Sequence, residues 1–527
     1  MDALREGTRS MSVVSRLNVL FILSDQHNAK VLGHRGHPDV RTPHLDRMAA
    51  EGVRFENAVT QNPICTPSRV SYLSGQYCHN HGYYGLSGPH PGGLPSLLSH
   101  FRKAGYRTSA IGKIHCPEYW IEDAADWFHD TCGTSVEGRS KAYEQFLRER
   151  GKLELEDHIR LPEFGDRGLQ SMEGRPSPLT FEESQEGWIA AQTIAFMQQC
   201  AQADVPFFAH ASLPRPHQCT SPSEPFWSWY EGRSLTLPPN ADNDPRAARK
   251  APHLIRAYDR WRSGSWALLE PRTFEAARMR KLRGYLGAVS QVDHAVGQML
   301  EFLRASGHAE RTLVVYAADH GDYACEHGIM EKAPGISHDA IIRIPFLWWA
   351  PGRLPAGRTV TGLVEAVDTA PTLCALAGLP PMPTADGQDL TDLLLGRSDR
   401  GKTLAVTEFP WSRSIRKGPW RLVLYSREMF PKEYPEGFGE LYHLGDDPWE
   451  RRNRYFDSDC RSIVEELRAD LLDWLVTTTR PISVLGVNYQ RPAPPDRETR
   501  TRYNVWTLAD GKIGPSEIRP RAGGPYL

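Results

Sequence analysis

A single cysteine opens the stretch Cys65-Thr66-Pro67-Ser68-Arg69 (CTPSR), with an arginine four residues behind it. Thr66 suits a helix N-cap, Pro67 the first helical position and Gly75 the end of a short helix, so Cys65 is expected at the positive end of a helix dipole. An anion would be welcome there, and a thiol would be acidified. A cysteine hydrolase is one reading of that placement. Against it, Arg69 follows too closely for the longer phosphate loop of cysteine-dependent phosphatases, which also need no metal site. A metal site is what other residues suggest. Asp25-Gln26 and Asp319-His320 offer carboxylate, amide and imidazole donors, a set suited to one divalent cation of hard or borderline character rather than to a thiolate-bound zinc. One Asp at a strand end commonly just caps the next loop, but two such dipeptides after equivalent strands favour the metal.

Further candidates share the same pattern. Lys113 and His115 are two apart, so an extended segment would aim both at one face, where an anion could meet them. His217 follows a stretch stiffened by Pro214 and Pro216. Lys332 lies in a glycine-punctuated run after His320 that is able to fold back over a site. Each has a plainer reading, as a solvated lysine or a structural histidine. For His34, His37, His79 and His81 the plainer reading, a solvated loop, is preferred, because HRGHP lacks the helical i, i+4 spacing with an intervening acid of a zinc hydrolase.

These residues need elements to hold them. Apolar runs at 17–23, 107–112, 205–213, 312–318 and 344–350 read as strands, and amphipathic stretches at 42–52, 93–105, 191–202 and 273–307 read as helices. The alternation predicts an α/β fold with a large, mostly parallel sheet flanked by helices. In such sheets ligands gather outside the carboxyl ends of strands, and four of these strands run into Asp25-Gln26, Lys113 and His115, His217, and Asp319-His320. Two stretches, about 117–184 and 219–271, are rich in Trp, Pro and charge without a clear period and are expected to be insertions or lid loops. Their tryptophans (FWSWYEG, RWRSGSWALL) suit either stacking on a sugar or aryl ring or packing within a lid. The expected organisation is an extension at 1–16, a catalytic domain at 17–398, a smaller C-terminal α/β subdomain at 399–480 and a tail at 481–527 that could wrap the body or mediate a homo-oligomer.

Bulk properties narrow the partners. The 62 Lys and Arg stand against 64 Asp and Glu, a net charge of -2, which offers no field of one sign for nucleic acid or anionic lipid. Only a short apolar run precedes Asp25, and no segment has the roughly 18 unbroken apolar residues of a membrane span. The nine cysteines are odd in number, dispersed and never in a CxxC pair, which points to free thiols in a reducing compartment. A cytoplasmic protein binding neither nucleic acid nor membrane is expected.

CTPSR resembles the Cys-x-Pro-Ser-Arg signature of type I sulfatases, members of the alkaline phosphatase superfamily. It occurs in order with NVLFILSDQ, TPHLDRMAAEGVRFENAV, GKIH, DHGD and LYHLGDDPWERRN, together spanning roughly residues 17 to 455. The resemblance implies an alkaline-phosphatase-like fold whose smaller C-terminal subdomain carries an antiparallel sheet. It implies that Cys65 is oxidised to formylglycine by a formylglycine-generating enzyme, with Pro67 and Arg69 in the modification signal. One hydroxyl of the aldehyde hydrate would attack the sulfur of a small sulfated substrate, and loss of the proton from the other would release sulfate. By the same resemblance Asp25, Gln26, Asp319, His320 and an oxygen of modified Cys65 would be metal ligands. Arg69 would hold the diol, Lys113 and Lys332 would neutralise sulfate oxygens, and His115 and His217 would handle protons. Calcium is the first expectation for the ion, with manganese or magnesium as alternatives. Gln26 and His320 stand where many arylsulfatases have Asp and Asn, and these resemble the choline sulfatase and phosphonate monoester hydrolase branch. Ser68 and GKIH point back to sulfatases. Sulfate ester hydrolysis is therefore expected, with phosphonate monoester or phosphodiester hydrolysis as the alternative, and a binding protein that kept the fold without turnover as the alternative of another class.

Overall fold

In a computed structural model of the chain, the structure describes residues 16–86, 93–117, 120–131, 141–157, 173–218, 220–267, 269–332 and 336–480. The proposed tail at 481–527 and most of the 1–16 extension lie outside the described residues. Among the described residues, twelve strands form two sheets. The first eight are β1 (Asn18–Asp25), β2 (Val53–Val59), β3 (Arg107–Gly112), β4 (Trp127–Asp130), β5 (Phe207–Pro216), β6 (Thr312–Ala318), β7 (Phe346–Trp349) and β8 (Arg358–Glu365). They pair in the order β4-β3-β5-β1-β6-β7-β2-β8, with β7 alone running antiparallel to its neighbours. The four strands expected to end in polar residues, β3, β5, β1 and β6, are thus contiguous and parallel. Their carboxyl ends share one edge, which sets the site in the middle of the sheet.

β1 shows why this sheet is central. Its residues are buried on both faces, as expected where helices cover both sides. Val19, Phe21 and Leu23 pack on one side with Tyr72, Leu97, Phe101 and Leu373, while Leu20 and Ile22 pack on the other with Ile189, Phe196, Val292 and Met299. Those partners lie on helices that include Cys65–Ser74 on the first face, and Gln185–Gln202 and Phe274–Ala305 on the second.

The second sheet is antiparallel: β9 (Leu404–Phe409), β10 (Ser412–Lys417), β11 (Trp420–Tyr425) and β12 (Gly439–His443), in the order β12-β11-β10-β9. Val406, Ile415, Leu422 and Leu441 on one face pack against Val464, Leu467, Leu471 and Trp474 of the Arg461–Thr478 helix. The expected fold class, a large mostly parallel sheet with a smaller antiparallel one, is what the chain adopts.

The two presumed insertions contain more order than lid loops. The first supplies edge strand β4, the Lys141–Glu149 helix, and Leu179 and Phe181 in the core. The second supplies the Pro252–Arg262 helix and buries Phe226, Tyr230 and Leu235. Its tryptophans pack on the chain itself: Trp261 and Trp266 meet edge to face at 4.7 Å, and Arg41 and Arg283 lie over Trp229 and Trp227. Aperiodic sequence here reflects short elements buried against a large body, a setting in which tertiary packing overrides local pattern. Nor are the loop histidines solvated. His81 is buried with Nε2 2.9 Å from Ser71 Oγ, His79 pairs with buried Glu408 at 2.9 Å, and His34 pairs with Asp46 at 3.1 Å. His37 Nδ1 accepts from the Asp39 and Val40 amides. No helix among the described residues is long and apolar enough to cross a membrane.

Candidate active site

The Cys65–Ser74 helix begins two residues earlier than the sequence suggests. Ile64, in extended conformation, is the N-cap, Cys65 is the first helical residue, and the Ser68 amide bonds to Ile64 O at 3.2 Å. Thr66 is therefore not the cap and Pro67 is not the first helical residue. Pro67 is tolerated in the first turn because no amide there has a partner within the helix. Gly75 ends the helix as expected, in left-handed conformation with its amide on Ser71 O. Every residue from Cys65 to Ser74 is buried.

The strand ends deliver the other groups. At the end of β1 the register with β5 shifts at Asp25, and Gln26 takes a φ of 66°, a conformation uncommon for a side-chain-bearing residue. This turns the Gln26 amide onto Asp319 Oδ1 at 3.0 Å, fastening the end of β1 to that of β6. Asp25, Cys65, Asp319 and His320 thereby bring ligand atoms within 4.8 Å of one another, all buried. Cys65 Sγ is 3.3 Å from His320 Nε2, and Lys332 Nζ is 2.9 Å from Cys65 Sγ and 3.1 Å from His320 Nε2. His320 Nδ1 faces the Gly321 carbonyl at 2.9 Å. Its proton belongs there, which leaves the Nε2 lone pair toward the cluster.

Arg69 braces the two aspartates. Its Nη2 donates to Asp25 Oδ2 at 3.0 Å and its Nε to Asp319 Oδ2 at 2.9 Å, while Nη1 donates to Lys113 O and Ser212 Oγ. These contacts occupy four of the five donors of a guanidinium, so little is left for a ligand. Each aspartate keeps its Oδ1 on the side of Cys65 and His320. Lys113 Nζ reaches Asp25 Oδ2 at 2.6 Å.

The segment that carries Lys113 and His115 is not extended, contrary to the expectation from their spacing. β3 stops at Gly112, whose φ of 108° and close approach to the Ser212 carbonyl leave no room for a side chain, and His115 has a left-handed φ of 45°. Lys113 turns into the cluster. His115 is half-buried, and its Nδ1 has no hydrogen-bond partner among the described residues. His217 does come to the cluster: its amide donates to Asp25 O at 3.2 Å and its Nδ1 lies 2.8 Å from Gln218 O.

Charges decide the protonation states. Burial alone would raise the Asp25 carboxyl, but Lys113, Arg69 and Lys332 hold it well below the usual range. Burial and Asp25 push the Cys65 thiol up, and Lys332, Lys113 and His320 overcome them and lower it well below its ordinary value. Burial, with Lys113, lowers His217 and keeps it neutral, able to accept a proton. Three fixed cations, Arg69, Lys113 and Lys332, face two carboxylates, Asp25 and Asp319, so a divalent ion would make this a strongly anion-attracting pocket.

The residues fit a divalent ion. Gln26 Oε1 is buried and has no hydrogen-bond partner among the described residues, while the same side chain's Nε2 is occupied by Asp322 at 2.5 Å and Glu331 at 2.8 Å. A buried carbonyl oxygen without a partner is costly unless a ligand takes it, and a cation beside two carboxylates and an imidazole would do so. Asp322, Glu331, Lys281 and Ser212 were not apparent from sequence. The dense run at 319–340 was a signal for the first two, and Lys281 and Ser212 carried none.

The sulfatase family profile matches residues 17–379, and that of the N-sulphoglucosamine sulphohydrolase C-terminal region matches residues 325–476. The chain is 27% identical over 466 residues to the ulvan-active sulfatase of Formosa agariphila, covering 86% of this chain and 80% of that one. It is 26% identical over 476 residues to the arylsulfatase of Clostridium perfringens, covering 86% and 93%. In fold it resembles the phosphonate monoester hydrolase of Silicibacter pomeroyi, with a TM-score of 0.73, 23% identity and coverage of 88% and 96%. With the sulfatase profile covering most of its length, from β1 through β8 and its site-bearing strand ends, the chain belongs to the sulfatase family of sulfuric ester hydrolases.

Proposed function

We propose that the chain hydrolyses a sulfate monoester to an alcohol and sulfate, with a nucleophile derived from Cys65 by conversion to formylglycine. The observation that carries the reading is the position of Cys65 Sγ, at a helix start, 2.9 Å from Lys332 Nζ and 3.3 Å from His320 Nε2. When bound by Asp25, Gln26, Asp319 and His320, a divalent ion, calcium first and manganese or magnesium as alternatives, would supply positive charge to polarise the ester and acidify the nucleophile. Lys113 and Lys332 place ammonium groups where sulfate oxygens gain charge, and each such donor typically contributes about 10² to 10³ in rate. His217, neutral and with Nδ1 turned to Gln218 O, has Nε2 free to take or give a proton. Arg69 acts mainly by fixing Asp25 and Asp319 in place.

Gln26 and His320 also suit a phosphonate monoester, the substrate named for the Silicibacter relative in fold. Protein produced with a formylglycine-generating enzyme is expected to turn over 4-nitrophenyl sulfate faster than a phenylphosphonate ester, and a peptide mass spectrum is expected to show an aldehyde at Cys65. Preference for the phosphorus ester would replace the sulfate reading, and an intact thiol in active protein would remove the formylglycine.

A further inference from the structure

Gln26 is the only proposed ligand whose two side-chain ends differ just in which atom is nitrogen. Its surroundings settle that choice. Nε2 lies 2.5 Å from Asp322 Oδ2 and 2.8 Å from Glu331 Oε2, and only the NH₂ end of an amide can face two acceptors. The carbonyl oxygen is thereby turned away from both acids, and it is the end without a partner among the described residues.

Both acids are themselves held. Asp322 Oδ1 accepts the Ala324 amide at 2.6 Å, and Glu331 Oε1 pairs with Lys281 Nζ at 2.5 Å. Lys281 is almost fully buried and lies in the long Phe274–Ala305 helix, one turn before Tyr285. The Tyr285 hydroxyl donates to Gln26 O at 2.9 Å and accepts the Asn28 amide at 2.9 Å. One helix therefore grips Gln26 twice, at the backbone through Tyr285 and at the side chain through Lys281 and Glu331. Glu331 is also the neighbour of Lys332, so the pair with Lys281 anchors the segment that carries an ammonium group to Cys65.

We propose that Asp322, Glu331 and Lys281 are positioning residues that fix the Gln26 amide with its oxygen toward the metal, and that this acid pair dictates an amide rather than a carboxylate at position 26. A carboxylate there would set three acceptors together with no proton between them, and like charges at such distances repel strongly in a buried site. The inference rests on the reading that Gln26 is a metal ligand.

The test is titration of chelator-stripped full-length protein with Mn²⁺ and with Ca²⁺ by calorimetry, with thermal unfolding of the stripped protein as a control for folding. Partners that orient a ligand typically carry about 10- to 100-fold in metal affinity, so Glu331→Gln is expected to weaken binding by that range and Lys281→Met by about tenfold. Gln26→Glu is expected to weaken it as well. Combining Gln26→Glu with Asp322→Asn and Glu331→Gln exchanges donors for acceptors across the same contacts, and is expected to recover about tenfold or more over Gln26→Glu alone. A purely structural role would lower the unfolding temperature of the stripped protein without that recovery. Unchanged affinity in folded Glu331→Gln and Lys281→Met protein, or a triple variant no tighter than Gln26→Glu, overturns the inference while leaving the metal reading in place. Failure of the wild-type protein to bind either ion overturns both.

Discussion

Among the described residues, two buried groups have the residue types of a metal site, and they behave differently. Asp25, Cys65, Asp319 and His320 form one, and His327, His338 and Glu450 form the other, each with ligand atoms within 4.8 Å. In the second group the atoms are already engaged. His338 puts Nδ1 on the Tyr323 hydroxyl at 2.8 Å and Nε2 on Glu440 at 2.9 Å, and Glu450 accepts from Arg421 and from the Asp339 amide at 2.8 Å each. His327 Nε2 lies 3.3 Å from Asn240 Nδ2. Beside the first group, the carbonyl oxygen of Gln26 has no partner among the described residues, and cations crowd around the sulfur of Cys65. Proximity of ligand-type atoms is thus common to a brace and to a site, and what separates them is whether the polar atoms are satisfied within the protein. The second group is a brace: through Glu440 on β12 and Arg421 on β11 it ties the segment after His320 to the small sheet.

That contrast can be broken most directly at Cys65. Cys65→Ala is expected to lower sulfate ester turnover by more than about 10³, since loss of a nucleophile leaves only binding and charge stabilisation, with the unfolding temperature little changed. Activity assay beside thermal unfolding checks it, and retained turnover would mean that the first group is not built around this residue. The converse is expected at His338. His338→Ala should destabilise the fold by about 3 kcal/mol, the cost of breaking a buried pair, while leaving divalent-ion content as in the wild type. Loss of the ion from this variant, measured by elemental analysis, would make the second group a ligand site.

The smallest expected effect concerns acid. Burial would raise the Glu440 carboxyl, but His338, Lys250 and the Ala251 amide bring it from 4.5 to about 2. A carboxyl depressed on folding adds stability that is complete above its unfolded value and is lost as pH falls toward the folded one. Denaturation midpoints should therefore decline between about pH 4.5 and 2, by the equivalent of up to about 3 kcal/mol, and Glu440→Gln should flatten that slope. An unchanged slope would show that the brace is not held by this charge.

Much of the site apart from Cys65 was legible because its residues stand at the ends of strands whose apolar runs are strong local signals. Asp25, Lys113, His217 and Asp319 could be assigned to one edge before any contact was known, and the sheet order bears out that their strands are neighbours. The residues behind them were not legible. Lys281 reads as an ordinary charge in a long helix, and only the approach of Glu331 from a segment fifty positions away gives it a partner. Thr66 satisfies the local rules for a cap, yet Ile64 takes the place because tertiary packing fixes where the helix starts. The spacing of Lys113 and His115 was read on a strand that continues through both, and Gly112 ends it.

The burial of the Cys65–Ser74 helix also bears on timing. Cys65 is 1% exposed, and the nine residues after it are covered by the large sheet and its flanking segments. A protein acting on the thiol would need the backbone around it, which the finished fold holds in a buried helix. Reaching it afterwards would require opening the middle of the molecule, at a cost near that of global unfolding. Any enzyme that alters Cys65 would have to win a race with folding, meeting CTPSR while the chain is still being completed.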